Sequence, residues 1–141
     1  MKVTLSDTAR QFIALFEDVT GATARDCVVD EENDRVIILV GAGEMGRAIG
    51  PGGKHVREVE AKLGRDIELV ENADTPEAFV ANALAPAAVY HVTISHNNDT
   101  VAYVEVDQDD AGVAIGREGR NIAAARVLAK RHHDIDDIQL T

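Results

Sequence analysis

The amino-acid sequence predicts an α+β fold in which one small unit, with element order αββααβ, occurs twice. A pattern of Ile-Gly-x-x-Gly followed by a basic residue stands at residues 49–54 and again at 115–120. The two copies are 66 residues apart, about half of the 141-residue chain. A repeat of this length indicates two copies of one supersecondary unit. The same order of helical and strand periodicities also surrounds both copies.

The first unit is predicted to span residues 1–71. Ser6 is a typical N-cap, apolar residues follow it at helical spacing, and Gly21 ends this helix. A polar turn then separates two short apolar runs, which predicts a hairpin. The elements expected after the first helix are strands at 25–30 and 35–40, helices at 44–49 and 54–63, and a strand at 66–70.

The second unit is predicted to span residues 75–141, after a short polar linker. Thr75, Pro76 and Glu77 form a helix start, because an N-cap is followed by proline and an acid in the first turn. Pro86 ends this helix. The expected elements after it are strands at 88–95 and 101–106, a short helix capped by Asp109 and Asp110 and ending at 115, a helix at 121–131 and a strand at 134–140.

The composition is strongly acidic, with a formal net charge of −11. The chain has 14 Asp and 11 Glu residues but only 14 basic residues, of which 4 are Lys. This composition resembles that of proteins from salt-loving organisms. High salt screens the repulsion within such a surface. The alternative is an ordinary acidic protein. One cysteine, no apolar run near the ~20 residues of a membrane span and no signal peptide together predict a cytoplasmic protein.

The basic residues are concentrated around the two glycine-containing patterns. Ten of the fourteen Lys and Arg residues lie within residues 44–65 and 112–133. The first segment holds five bases against three acids, and the second holds five bases against one acid. In an acidic protein, basic residues that cluster in two segments are expected to have a function in those segments. Clustered basic residues are typical of nucleic-acid binding.

Several stretches together resemble a known family. Two αββααβ units, each with Ile-Gly-x-x-Gly before its second long helix, resemble tandem type II KH domains and the archaeal NusA-like transcription factors. The flanking stretches 20–27, 101–106 and 129–135 also match that family. The resemblance covers essentially the whole chain. It implies a three-stranded sheet packed on helices in each unit, single-stranded RNA as the ligand, and a role beside RNA polymerase in transcription elongation or termination.

The resemblance also implies which residues hold RNA. In a KH domain the loop between two helices grips the backbone of a short single strand, and the bases lie in an adjacent groove. Carried onto this sequence, the first clamp consists of Ile49, Gly50, Pro51, Gly52, Gly53, Lys54 and Arg57. The second clamp consists of Ile115, Gly116, Arg117, Glu118, Gly119, Arg120 and Asn121. Ile49 and Ile115 are expected at the groove floors or just behind them.

The two loops are not expected to bind equally well. Pro51 and Gly52 bring no charge to the first loop, and Pro51 also lacks an amide donor. In the second loop Arg117 suits a phosphate, whereas Glu118 would repel one. The second loop is therefore predicted to be the better clamp, given the larger positive charge around it.

Other interpretations of the same features remain open at this stage. Each loop can be a helix-to-helix turn whose glycines serve geometry only. Arg126 and Lys130 are either a solvated helix face or phosphate contacts. With inert loops, the protein would be an adaptor that contacts polymerase or ribosomal components through its acidic faces, and the same RNA site would also suit ribosome assembly or RNA processing.

No residue pattern predicts catalysis. The sequence contains no nucleophile beside a base, no P-loop and no paired catalytic carboxylates. The histidines lack the spacing of metal ligands, and His132 and His133 are expected to end a helix. We therefore expect neither an enzyme nor a cofactor, a metal, a membrane or a small-molecule substrate as partner.

Overall fold

The structure is a computed structural model that describes residues 4–141, and it divides into two compact units, residues 4–72 and 73–141. Each unit has the order αββααβ and one three-stranded sheet packed on helices. The predicted fold class is confirmed. Within the described residues, no helix is both long enough and apolar enough to span a membrane.

The first unit follows the predicted order closely. Ser6 caps the first helix by accepting a hydrogen bond from Ala9 N at 3.1 Å, and Gly21 ends the helix in a left-handed conformation. A short 3₁₀ turn forms the glycine loop between the second and third helices. The elements are α1 (Asp7–Thr20), β1 (Ala24–Asp30), β2 (Arg35–Val40), α2 (Met45–Ile49), α3 (Lys54–Leu63) and β3 (Asp66–Glu71).

The second unit repeats this arrangement. Thr75 caps its first helix by accepting from Ala78 N at 3.2 Å, as the sequence predicts. A 3₁₀ turn again forms the glycine loop. The elements are α4 (Pro76–Ala83), β4 (Val89–His96), β5 (Thr100–Val106), α5 (Ala111–Ile115), α6 (Arg120–His133) and β6 (Asp137–Leu140).

Both sheets have the same topology. The middle strand pairs antiparallel with the preceding strand and parallel with the last one, giving the orders β1-β2-β3 and β4-β5-β6. In the first unit, Phe16 of α1 and Val59 of α3 join the inward residues of β2 in one buried cluster. In the second, Phe79 of α4 and Leu128 of α6 are fully buried. This packing fixes where each last helix begins, at the end of its glycine loop.

Two local predictions were wrong in part. The strand predicted from residue 134 begins at Asp137, because Asp134 caps α6 in a left-handed conformation with φ 55°. Asp110 stands at the N-cap of α5, as predicted, but neither Asp109 nor Asp110 caps the helix through its side chain. Asp107 accepts from Asp109 N at 2.9 Å, whereas the Asp110 carboxylate accepts from Ala88 N at 2.8 Å and ties the turn to β4.

An ion pair closes the first hairpin. Arg35 Nε donates to Asp30 Oδ2 at 2.9 Å, and the two side chains are only 7% and 19% exposed. Burial alone would raise the pKa of Asp30, but hydrogen bonds from Asn33 and Arg35 outweigh it and lower that pKa. The folded pKa thus lies below the unfolded value of about 3.9. The pair therefore stabilises the fold above that value and stops doing so as the pH falls through the folded pKa.

We expect Asp30→Asn to lower the free energy of unfolding of the first unit by about 1–3 kcal/mol near neutral pH, because a charged hydrogen-bond acceptor is lost. The loss should shrink as the pH falls from about 4, where the unfolded carboxyl group begins to take up a proton, and should vanish once the pH has passed below the lowered pKa of the native carboxylate. Denaturant unfolding of both proteins in molar KCl across this pH range measures the difference. The exposed Asp18→Asn is the control, and a loss that does not change with pH would contradict this account.

Candidate nucleic-acid interface

The two glycine loops have nearly the same backbone conformation. The first glycine has φ 76° and ψ 171° at Gly50, and φ 79° and ψ 171° at Gly116. The third position has φ 61° at Gly52 and φ 56° at Glu118, and the last glycine is left-handed in both loops. Two loops with different sequences thus hold one shape, which places the first turn of α3 and of α6 at a matching position.

The first glycine of each loop is required by its surroundings as well as by its backbone angles. Positive φ combined with ψ near 180° is a region that essentially only glycine adopts. A Cβ atom on Gly50 would lie 2.5 Å from the His55 ring, and one on Gly116 would lie 2.7 Å from both Cβ and N of Asn121. No other residue therefore fits without moving the helix that follows.

His55 and Asn121, one position after the basic residue of each pattern, tie the loops to the preceding helices. His55 Nδ1 lies 2.8 Å from the carbonyl oxygen of Arg47 in α2. Asn121 Nδ2 donates to the carbonyl oxygen of Ala114 in α5 at 3.0 Å. Asn121 was predicted to contact RNA, whereas no role was predicted for His55. The 66-residue spacing relates these two positions, and it was the signal that could have found this shared role.

In the first loop, one of the cations predicted to bind RNA, Arg57, is hydrogen-bonded to the loop itself. Arg57 Nη1 donates to the carbonyl oxygen of Gly52 at 2.7 Å, so its guanidinium lies across the loop. Pro51, Gly52 and Lys54 are exposed, and Ile49 is 39% exposed at the end of α2. The first loop therefore presents Lys54 and an uncharged turn to solvent.

The second loop presents charged side chains directly. Arg117 and Glu118 are exposed, whereas Arg120 is partly buried at the start of α6. Glu118 has φ 56°, a left-handed conformation that costs a residue with a Cβ atom about 1 kcal/mol or more. The corresponding residue of the first loop is Gly52, for which this conformation carries no such cost. A strained non-glycine residue thus stands in the middle of the second loop.

An open groove of about 490 Å³ lies beside the second loop. It runs between the start of α6 and the edge strand β6, and its size is within the ~300–1,000 Å³ typical of ligand sites. Apolar side chains form most of its lining, and two polar side chains come from α6 and β6. The lining residues are Ile115, Gly119, Ile122, Arg126, Gln139 and Leu140.

Only part of this groove was predicted from the sequence. Ile115 was expected at a groove floor, and it lines the groove with 42% of its surface exposed. Gln139 and Leu140 were missed, because their place depends on the register of β6 along β5, where Tyr103 pairs with Gln139 and Val104 with Leu140. The residues of β6 alone do not show how that strand is aligned with β5.

Arg126 and Lys130 both form ion pairs within the second unit. Arg126 Nε donates to Asp137 Oδ1 at 2.9 Å, while Lys130 Nζ donates to Asp136 at 2.7 Å and to Asp134 at 3.1 Å. These hydrogen bonds raise the pKa of Lys130 and, with one from Thr100 N, lower the pKa of Asp136. Acidic side chains in and just before β6 therefore pair with both basic residues of this helix face.

The comparisons with known proteins agree with this architecture. A family model described as the NusA-like second KH domain matches residues 76–141, and a KH domain model matches residues 12–75. A probable transcription termination protein NusA from Halococcus morrhuae is 64% identical over 140 residues, which cover 99% of each chain. One from Halobacterium salinarum is 62% identical over the full length of both chains.

The chain belongs to the NusA family. The crystal structure of APE1850 has the same architecture, with a TM-score of 0.86 and 33% sequence identity over 97% of this chain and all of the other. The two NusA relatives come from halophilic archaea, in agreement with the prediction drawn from the acidic composition. Tandem KH domains are thus established for the chain.

Two histidines of this NusA-family chain, His132 and His133, pack against Phe79. His132 and His133 stand in the last turn of α6, as predicted, and the His133 ring packs edge-on against Phe79 at 4.6 Å between centroids. Burial lowers the pKa of His133. Across residues 4–141, no group of three or more His, Cys, Asp or Glu side chains is arranged to hold a metal ion.

We expect Gly116→Ala to destabilise the second unit more than Gly119→Ala does. The left-handed conformation of Gly119 costs alanine about 1–2 kcal/mol, whereas Gly116, with ψ 171°, lies in a region essentially confined to glycine. Only Gly116 adds a clash, since a Cβ on Gly119 would meet nothing within 4 Å. Thermal unfolding in molar KCl compares the two variants. Equal losses would contradict the close packing of Gly116 against Asn121.

Proposed function

We propose that this protein binds single-stranded RNA through its glycine loops and acts in transcription termination or elongation beside RNA polymerase, in the cytoplasm. The observation that carries the proposal is the second loop, where exposed Arg117, the start of α6 and an apolar groove lie side by side. The curated relatives are named as probable transcription termination proteins. That name supports the transcription role.

The start of α6 supplies the electrostatic part of the proposed clamp. The first amides of a helix have no partner within the helix, and they carry a partial positive charge that attracts phosphate. Gly116 and Gly119 would let the RNA backbone approach the start of α6, where Arg120 lies, and Arg117 would add a full charge. Asn121 would act by holding the loop closed against α5, through its bond to Ala114 O at 3.0 Å.

The second loop is proposed as the stronger clamp. In the first loop Arg57 is bound to Gly52 O at 2.7 Å, and the helix position that matches Arg126 is Glu60. Glu60 Oε2 accepts from Ile67 N at 3.0 Å, which holds a carboxylate beside β3. A carboxylate there opposes an RNA backbone. Under the alternative function, an adaptor for polymerase or ribosomal components, the first loop would be purely structural, and these two contacts favour that role for it.

We expect Arg117→Asp to weaken binding of single-stranded RNA by about tenfold or more, and Gly52→Asp to weaken it by less than about threefold, because only Arg117 is proposed to face a bound phosphate. Aspartate tolerates the left-handed conformation at Gly52, where a Cβ would meet nothing within 4 Å. Fluorescence anisotropy of labelled RNA in molar KCl measures both. Gly52→Asn is the uncharged control.

The outcomes of that measurement separate the two functions. RNA binding that only Arg117→Asp weakens supports the proposed clamp. Binding that neither variant changes would place the RNA elsewhere on the chain. If the native chain binds no RNA at any salt concentration, the proposal is wrong and the adaptor function takes its place.

We also expect Glu118→Asn to strengthen RNA binding by about threefold, since it removes a negative charge beside the proposed phosphate site. Asparagine accepts the φ of 56° at this position, so the loop keeps its shape. The same anisotropy assay, with thermal unfolding to confirm an unchanged fold, measures the effect. Weaker binding by this variant would show that Glu118 contributes an RNA contact rather than a repulsion.

A further inference from the structure

We infer that the groove of the second unit selects a base with two adjacent hydrogen-bond acceptors on one edge, and that Arg126 makes this selection. Guanine offers N7 and O6, and cytosine offers N3 and O2, whereas adenine and uracil alternate acceptors with donors. This inference rests on the proposed RNA function and adds to it the class of base that the site takes.

Two hydrogen bonds to β6 hold one edge of the Arg126 guanidinium. Nε donates to Asp137 Oδ1 at 2.9 Å, and Nη2 donates to the carbonyl oxygen of Ile138 at 3.0 Å. Both bonds use the side of the planar group that faces β6. Neither bond uses Nη1, which lies on the opposite edge of the guanidinium, and Arg126 lines the groove. A planar group held this way presents two parallel donors, and these match two adjacent acceptors.

Asp137 holds the second polar residue of the groove as well. Gln139 Nε2 donates to Asp137 Oδ2 at 3.3 Å, so one carboxylate positions both Arg126 and Gln139. With its amide nitrogen turned to Asp137, Gln139 has a carbonyl oxygen to accept the N1–H of guanine or the N4–H of cytosine. Both of these donors adjoin the acceptor pair. Ile115, Ile122 and Leu140 supply apolar surface for the ring.

The ligand of this groove is a base rather than a phosphate. Asp137 is 39% exposed and lies directly beside the guanidinium, where it would repel a phosphate that approached Arg126. In molar salt, phosphate attraction is also strongly screened, and hydrogen bonds to base edges retain more of their strength.

The first unit lacks this donor pair. The residue that matches Arg126 in the 66-residue repeat is Glu60, and Glu68 pairs with Ile37 in β2 at the sheet position where Gln139 pairs with Tyr103. Carboxylates accept hydrogen bonds and donate none when ionised. We therefore expect the groove of the second unit, and not the first unit, to select bases with two adjacent acceptors.

Oligouridine strands that carry a single central G, C, A or U test this inference on the full chain, by anisotropy in molar KCl. We expect strands with G or C to bind about tenfold tighter than strands with A or U, as one bidentate pair allows. Replacing G by 7-deazaguanine, or C by 3-deazacytosine, removes one acceptor of the pair and should abolish the gain. Inosine keeps N7 and O6 and should preserve it.

Arg126→Lys distinguishes base selection from a simple charge effect. Lysine keeps the charge and a partner for Asp137 but loses the fork of donors, so the preference for G and C should vanish while oligouridine binding persists. Arg10→Lys on α1 is the matched control and should keep the preference. The deaza strands test the native protein, so this arm is independent of how any variant folds.

Two results would overturn the inference by itself: equal affinity for all four strands, or a preference that survives in Arg126→Lys. In either case RNA binding that still depends on Arg117 would leave the proposed function standing. Absence of RNA binding by the native chain would overturn both.

Discussion

The backbone at Gly50 and Gly116 is the constraint on which the rest of the structure depends. With φ near 76–79° and ψ 171°, each glycine turns the chain sharply between two helices. His55 and Asn121 then hold that turn to a carbonyl oxygen of the preceding helix. Because a Cβ would strike these side chains, the turn has a single geometry. That geometry sets where α3 and α6 begin, at Lys54 and Arg120.

The same scaffold carries different chemistry in its two copies. At one helix position the first unit has Glu60 and the second has Arg126, and both side chains bond to the backbone of the adjacent edge strand, at Ile67 N and Ile138 O. A donor has thus replaced an acceptor without a change in the fold. Within the loops, a similar exchange places Glu118 where the first unit has Gly52. The repeat therefore preserves geometry and varies hydrogen-bonding character.

The fold was largely predictable from the sequence because its signals are local. Ser6 and Thr75 mark helix starts, Gly21 and Gly64 mark helix ends, and the loop pattern recurs at 66 residues. The start of β6 was mispredicted, because Asp134 adopts a left-handed cap that aspartate only sometimes takes. The roles of Asp107 and Asp110 were also missed, since Asp110 bonds to Ala88 N, 22 residues earlier in the chain.

The candidate site was predictable in part. The loops and their exposed cations follow from the repeated pattern, and Ile115 was expected at the groove. The ion pairs of Arg126 and Lys130 with Asp137, Asp134 and Asp136 depend on how β6 lies against α6, which no local pattern encodes. The engagement of Arg57 with Gly52 O likewise depends on a rotamer choice. Contacts between distant elements were thus the part that needed the structure.

Amide chemical shifts test the central claim most directly. Titrating short single-stranded RNA into ¹⁵N-labelled protein in molar KCl should shift the amides of residues 116–121 first, together with the side-chain amide of Gln139. Smaller shifts are expected at residues 50–55. Shifts confined to surfaces away from both loops, with residues 116–121 unmoved at saturation, would contradict the account of the second loop and its groove as the RNA site.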